Sequence, residues 1–221
     1  MAKSFINWLS PANGLRWLDI GCGPGVLGDA VIHKCEPADI TAIDRSEAFV
    51  NAAKKQLGSI ARCIVGDALD LPVKDISADI TVSGLFLNFI PEPEKALAEM
   101  KRVTAPGGVV ALYVWDYAGK MDFLSYFWDA ATELNPKASA LHEANRFPAA
   151  DPGTLEVLFS RSGFMETIVA SIEIETHFFS FDDYWKPFMG GQGPAPTYLS
   201  SLNEQERDDL RVALSERLPV Q

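Results

Sequence analysis

Residues 15–28, LRWLDIGCGPGVLG, constrain the fold more than any other stretch of this chain. An apolar run of strand length leads straight into a glycine-rich loop, and beyond the loop Leu27, Val31 and Cys35 recur at helical spacing. A strand feeding a helix in this way opens a βαβ unit, and it aims backbone N–H groups and a helix N-terminus at whatever binds there. The loop carries two overlapping patterns. Gly23, Gly25 and Gly28 make G-x-G-x-x-G, the spacing of a loop that cradles a dinucleotide pyrophosphate. Asp19, Gly21, Gly23 and Gly25 make D-x-G-x-G-x-G, which puts an acid at the loop's entrance.

The alternation continues. ADITAID (38–44) reads as a second strand, and Ser46 is placed to cap a helix carrying Phe49, Ala52, Ala53 and Leu57. ARCIVGD (61–67) and ADITVSG (78–84) read as strands three and four. A helix after Pro93 shows Ala96, Leu97, Met100 and Val103 on one face, and PGG at 106–108 turns it into strand five, VVALYVWDY. The pattern predicts an α/β, Rossmann-like, doubly wound sheet, mostly parallel, with helices on both faces. Past residue 118 aromatics become dense. Helices are expected over 121–135, 153–163 (ending at Gly163) and 203–218, a one-face-wet strand over 166–179, and a turn-rich aromatic segment over 181–196.

A chain of 221 residues suffices for one full core and leaves little room for a second. Its 19 Lys and Arg against 30 Asp and Glu give a net charge of -11, which opposes attraction to nucleic-acid backbones and anionic lipid. Cys22, Cys35 and Cys63 form no C-x-x-C, so neither a disulfide framework nor a metal site is expected. The N-terminus MAKSFINWLS lacks a signal peptide's apolar stretch, and no run approaches the roughly 18 apolar residues of a membrane span. Those readings place the protein in the cytoplasm, with a small-molecule partner and neither nucleic acid nor membrane.

In an open α/β sheet, ligands bind beyond the carboxyl ends of the strands. Those ends carry Asp19 to Gly25, Asp44, Asp67, Ser83 with Gly84, and Asp116. A rim holding Asp19, Asp44 and Asp67 suits a ligand with positive charge and several donors better than a pyrophosphate, which the carboxylates would repel. Asp44 alone does not discriminate, because an acid there grips ribose hydroxyls in either case. Two plainer readings compete: Asp19 capping the first crossover helix, and Asp67 beginning a turn.

WLDIGCGPG, AIDRSEAFV, VGDALDLPV and DITVSGLFLNFIPEPEKALAEMKRVTAPGGVVALYVWDY, in that order, resemble the successive motifs of class I S-adenosylmethionine-dependent methyltransferases of the small-molecule, type 11-like kind. VWDYAGKMDFLSYFWDAA and FDDYWKPFMGGQGPAPTYLSSL are similar to a bacterial subgroup of that superfamily, so the resemblance covers nearly the whole chain. It implies one domain over 1–221. Residues 1–117 would be the cofactor-binding core, 118–152 an inserted aromatic-rich helical cap, and 153–221 a C-terminal helix, edge strand and closing helices. It also implies that Asp19 and the loop backbone at Gly21, Cys22, Gly23 and Gly25 hold the methionine moiety, and that Asp44 binds both ribose hydroxyls. Arg45 would lie against the adenine, with Asp67 accepting from its exocyclic amine and the Ala68 amide meeting the ring. Ser83, Gly84 and Leu85 would approach the sulfonium, and Gly28 would ease helix-to-strand packing.

The superfamily sheet usually has seven strands. In the resembling subgroup the last follows the closing helix, whereas this chain stops at Gln221 and also begins later than many relatives. A cropped chain lacking the seventh strand is therefore expected.

Methyl transfer from a sulfonium is an in-line displacement in which alignment can do much of the work, so no nucleophilic side chain is required. His33, His142 and His177 offer no convincing base, Cys22 reads as a small side chain filling a tight turn, and the catalytic residues stay unassigned. Ser83-Gly84-Leu85-Phe86 differs from the N-P-P-Y stretch of methyltransferases that act on adenine or glutamine amino groups. Trp115, Tyr117, Phe123, Phe127, Trp128, Phe147, Tyr184, Trp185 and Phe188 could wall an apolar pocket or simply pack a core. Asn88 and Tyr117, each following a strand end, are the preferred substrate contacts. Two alternatives stay open: an NAD(P)-dependent oxidoreductase using Gly23, Gly25 and Gly28, and a non-catalytic S-adenosylmethionine-binding protein.

Overall fold

The computed structural model describes residues 1–117, 119, 121–146, 151–190 and 193–219. Phe147, one of the aromatics singled out above, lies outside them. In chain order the elements are α1 (Ala2–Leu9), β1 (Arg16–Ile20), α2 (Val26–Cys35), β2 (Asp39–Asp44), α3 (Glu47–Leu57), β3 (Ala61–Val65), β4 (Ala78–Gly84), α4 (Pro93–Val103) and β5 (Thr104–Tyr113). They continue with α5 (Asp122–Leu134), α6 (Glu143–Arg146), α7 (Pro152–Arg161), α8 (Phe181–Gly190), α9 (Pro194–Ser201) and α10 (Glu204–Arg217). Two compact units result: Met1–Val114 with Gly153–Ile172, and Trp115–Pro152 with Glu173–Gln221.

The first unit is built on a five-stranded sheet, ordered β3-β2-β1-β4-β5, in which every pair is parallel. Because side chains alternate across a strand, β1 sends Leu18 and Ile20 to one face and Trp17 to the other. Leu97, Met100 and Val103 of α4 and Leu155 and Leu158 of α7 cover the first face. Phe5 and Ile6 of α1 with Leu27, Val31 and Cys35 of α2 cover the second. The strand order reverses between β1 and β4, so their carboxyl ends flank the crevice where ligands of such sheets bind.

Several expectations are corrected. In α3 the buried stripe is Val50, Ala53 and Leu57, while Phe49 is 50% exposed, because a helix buries one row of i, i+3, i+7 positions whatever the size of the neighbouring side chain. Residues 106–108 do not separate helix from strand. Thr104 already pairs with Ala78, and Pro106, Gly107 and Gly108 bulge out before Val109 pairs with Ile80. Residues 166–179 alternate but join no ladder: alternation selects a face, whereas a strand also needs a neighbour, and this segment lays Val169 and Ile172 against the two cores of the first unit and Phe178 against the core of the second. The aromatic segment expected as turns forms α8 and α9, with Pro187 inside α8. Burial of Tyr184, Trp185 and Phe188 against Phe127 and Trp128 of α5 and Leu210 and Leu214 of α10 outweighs the local cost of that proline. Helix α1 had no counterpart in the reading of MAKSFINWLS, and its Phe5 and Ile6 are buried.

The long β3–β4 connection is tied down by α4. Arg102 donates to Glu99 (Nε–Oε1 2.7 Å, Nη2–Oε2 2.6 Å), to Asp75 (2.6 Å) and to the carbonyls of Leu71 and Val73 (3.1 Å each). Glu99 also accepts from the Leu71 N–H at 2.7 Å. Paired bonds of this kind are the strong ones, and they hold the Arg102 pKa above and the Glu99 pKa below their ordinary values. Arg102→Ala strands two loop carbonyls and the Glu99 carboxylate. It should lower the urea-unfolding free energy by about 2 kcal/mol, and Arg102→Lys, which cannot form the fork, should recover less than half of that.

Candidate functional site

Beyond the carboxyl ends of β1, β2 and β3 lies a cleft of about 440 Å³, counting its open mouth. Its walls include Gly21, Asp44, Arg45, Asp67, Ala68 and Phe86, together with Leu69, Ile90 and Pro91. Of the residues singled out in the sequence, five therefore line one cavity. Phe86, Leu69, Ile90 and Pro91 were missed, since nothing in an apolar side chain's identity marks it as facing a ligand instead of the core.

The glycine loop is fixed by the strand beside it. Gly21 and Cys22 both donate their N–H to the Ile43 carbonyl, at 2.8 and 3.0 Å. Asp44, at the end of β2, accepts from the Gly23 N–H through Oδ2 (3.0 Å) and from the Ser46 N–H through Oδ1 (2.8 Å). Ser46 in turn caps α3 through the Phe49 N–H. A carboxylate accepts up to about four hydrogen bonds, so Asp44 retains capacity for a diol. At Gly21, φ is +66°, and a Cβ would lie 2.3 Å from the Phe86 ring, so any other residue would displace the cleft wall.

Asp19 is fully buried in the middle of the sheet, and neither carboxylate oxygen has a hydrogen-bond partner. Burial pushes its pKa up to about 7, the Gly28 N–H pulls the other way, and the nearby Asp44 charge adds to the rise. The N-cap of α2 is Gly25, and the Gly28 N–H that acts on Asp19 belongs to the first turn of that helix. A Cβ on Gly28 would stand 3.1 Å from Leu57 and 3.6 Å from Asp19 Oδ2, which makes Gly28 a close-packing position.

Asp67 closes a turn, its Oδ1 accepting from the Leu69 N–H at 2.9 Å, and it lines the cleft as well, so the two readings are compatible. Ala68 is buried beside it. Cys22 is buried, and its thiol is pushed well above the ordinary range by burial and the carboxylates around it, the reverse of an activated nucleophile. The Ser83 hydroxyl donates to the Ile20 carbonyl at 2.8 Å and stitches β4 to β1. Leu85 takes the left-handed conformation at φ 55°, its N–H bonded to the Tyr113 carbonyl.

Asn88 sits in a short 3₁₀ turn after β4, and its Oδ1 is buried without a partner. Tyr117 belongs to the second unit, as does Asp116, whose Oδ1 accepts from the Gly119 N–H. His33 is exposed on α2 and bonded to the Asp29 carbonyl, while His142 and His177 lie in the second unit, against Trp128 and beside Glu175 respectively. Phe127, Trp128, Tyr184, Trp185 and Phe188 pack that unit's own core. Among the described residues no cluster of His, Cys, Asp or Glu could hold a metal, and no helix is long and apolar enough to cross a membrane.

Strand order and cleft together define a Rossmann-like domain whose ligand site lies at the switch point. Residues 18–112 match the family described as Methyltransferase domain. The chain is 29% identical over 233 aligned positions to methyltransferase ucsB of an Acremonium species, covering 96% of this chain and 76% of that protein. It is 32% identical over 183 positions to the demethylmenaquinone methyltransferase of Desulfitobacterium hafniense, covering 75% and 72%. Its fold matches the YcgJ protein of Bacillus subtilis with a TM-score of 0.63 at 19% identity, over 94% of this chain and 86% of that one. The chain belongs to the class I S-adenosylmethionine-dependent methyltransferases, with S-adenosylmethionine as cofactor and a small molecule as acceptor.

The raised Asp19 pKa sets a pH dependence. The unfolded chain ionises this carboxyl near pH 4 while the folded protein holds its proton to about 7. Ionisation therefore costs the ligand-free fold stability progressively between those values, up to about 4 kcal/mol above pH 7. Asp19→Asn removes the titration. The unfolding free energy of the natural protein minus that of the variant should fall from pH 4 to 7 and then level off, as read by urea unfolding across pH.

Proposed function

We propose that the cleft of the first unit binds S-adenosylmethionine through the residues assembled there and presents its methyl group to a small, partly apolar acceptor at oxygen, nitrogen or carbon. The carrying observation is the buried, partnerless carboxylate of Asp19 beside the glycine loop. An anion without donors suits an incoming ammonium, directly or through one water, and repels the pyrophosphate that an oxidoreductase would bind. The donor set fits the rest of the group: Asp44 offers its remaining acceptor positions to the ribose hydroxyls, and Arg45 lies against the adenine. Asp67 and the Ala68 N–H meet the adenine edge, and Ser83, Gly84 and Leu85 approach the sulfonium with their backbone.

When bound, S-adenosylmethionine supplies a methyl group activated by its sulfonium. The protein's contribution is alignment and exclusion of water, which for well-oriented reactants is worth roughly 7 to 11 kcal/mol. Asn88 is the first-unit candidate for orienting the acceptor, because its buried Oδ1 lacks a donor. We assign 1–221 as one methyltransferase domain, with 1–117 as cofactor-binding core, 118–152 as an inserted segment and 153–221 as its C-terminal part. The net charge of -11 supports an acceptor that is not a nucleic acid, and we place the enzyme in the cytoplasm. The two relatives named above, one carrying a quinone precursor in its name, make a ring-bearing acceptor the first class to screen.

Calorimetric titration tests the cofactor assignment. S-adenosylhomocysteine should bind in the micromolar range and NADH should give no heat. Asp44→Ala should weaken S-adenosylhomocysteine at least about 30-fold through loss of charged hydrogen bonds, and Asp67→Ala about tenfold. NADH binding, or full retention of affinity in Asp44→Ala, would overturn the reading.

A further inference from the structure

Tyr113 ends β5, and the roles drawn from the sequence leave it unassigned. Its partner in the sheet is Gly84, and a Cβ placed on Gly84 would lie 2.5 Å from the Tyr113 hydroxyl oxygen and 2.7 Å from the ring carbon bearing it. The phenol therefore lies back across β4, over a backbone position with no side chain of its own. The registers Asp19↔Val82 and Gly84↔Tyr113 set Asp19 one strand beyond β4 and one alternation row earlier. Both side chains emerge on the same side of the sheet, since Trp17, Val82 and Ala111, which share their alternation, all belong to the core under α1 and α2. Phe5 of α1 packs against the Tyr113 ring at 4.9 Å between centroids and holds it there. Two polar groups thus lie on one side of the sheet, flanking β4: an anion whose oxygens make no hydrogen bond, and a phenol.

The phenol keeps its proton. Burial, helped by the Asp19 charge, pushes its pKa up to about 12, so Tyr113 donates a hydrogen bond at neutral pH and is no base. An α-amino acid head is the ligand group that needs both ends, an acceptor for its ammonium and a donor for its carboxylate.

We propose that Tyr113 is a binding residue for the amino-acid end of S-adenosylmethionine, its hydroxyl donating to the α-carboxylate while Asp19 answers the ammonium. This inference rests on the cofactor reading given above. Sequence periodicity hid Tyr113 because it falls inside a strand and reads as one more apolar position.

Tyr113→Phe removes a single oxygen and leaves the Phe5 packing, so the fold should survive, with a melting temperature close to that of the natural protein. Two ligands are titrated by calorimetry: S-adenosylhomocysteine, which carries the amino-acid end, and 5′-methylthioadenosine, which lacks it. The variant should bind S-adenosylhomocysteine about tenfold or more weakly and 5′-methylthioadenosine as the natural protein does. Equal weakening of both ligands would make Tyr113 a packing residue only, and undiminished S-adenosylhomocysteine binding would show that its hydroxyl meets nothing there; either result overturns the proposal. A natural protein that binds neither ligand would overturn the cofactor reading and this inference together, whereas normal binding of both by the natural protein leaves that reading standing whatever Tyr113→Phe does.

Discussion

A carboxylate in the middle of a sheet with nothing to donate to it is the constraint on which the rest of the first unit depends. Burial keeps Asp19 protonated up to about pH 7, and an approaching positive charge or donor is what favours its ionised form. Gly28 lets α2 and α3 close around Asp19 without a side chain of its own, and Trp17, on the same face of β1, is buried too. The same burial that holds the Asp19 proton to about pH 7 makes the carboxylate a strong attractor once a cation approaches, because low polarity magnifies both the cost of the lone charge and the gain from pairing it. Stability is given up at the strand end where binding needs it, a familiar compromise at functional sites.

Around that charge the structure spends its hydrogen bonds on fixing loops. Asp44 is a structural acceptor before it is anything else, tying Gly23 to the end of β2 and setting up the Ser46 cap of α3. Arg102 and Glu99 do the corresponding work for the connection that carries Asp67 and Ala68. The two clamps come from different elements, β2 and α4, and hold different walls of one cleft. Alignment worth several kcal/mol is credible only on supports of this kind, since loops free to move by an ångström would surrender most of it.

What was legible in the sequence follows from which forces are local. The five strands and the stripes of α2 and α4 show in periodicity because burial of one face is written residue by residue. The chemistry of Asp19, Asp44 and Asp67 showed because acids at the ends of buried strands are costly and therefore informative. What did not show depends on partners distant in sequence. Residues 166–179 alternate like a strand, but pairing is decided by a neighbour that the segment itself does not encode. Helix α8 exists despite Pro187 because Tyr184, Trp185 and Phe188 bury against α5 and α10. The second role of Asp44, as acceptor for the Gly23 N–H, is invisible until β1 and β2 are laid side by side.

Tyr113 illustrates the same limit from the other direction. The sequence places it inside strand five, whereas β5 ends there, and its use depends on what stands across from it. Had β4 carried alanine at position 84, the phenol could not lie where it does, since the added carbon would stand 2.5 Å from its oxygen. The glycine therefore decides where the phenol lies as much as the tyrosine does, and its effect is one of permission: the absence of one Cβ on a neighbouring strand lets a side chain from the edge of the sheet lie back over β4. A motif scan sees Gly84 as part of β4 and Tyr113 as part of β5. Only the register Gly84↔Tyr113 joins them, and it puts the phenol on the same side of the sheet as the acid of the central strand.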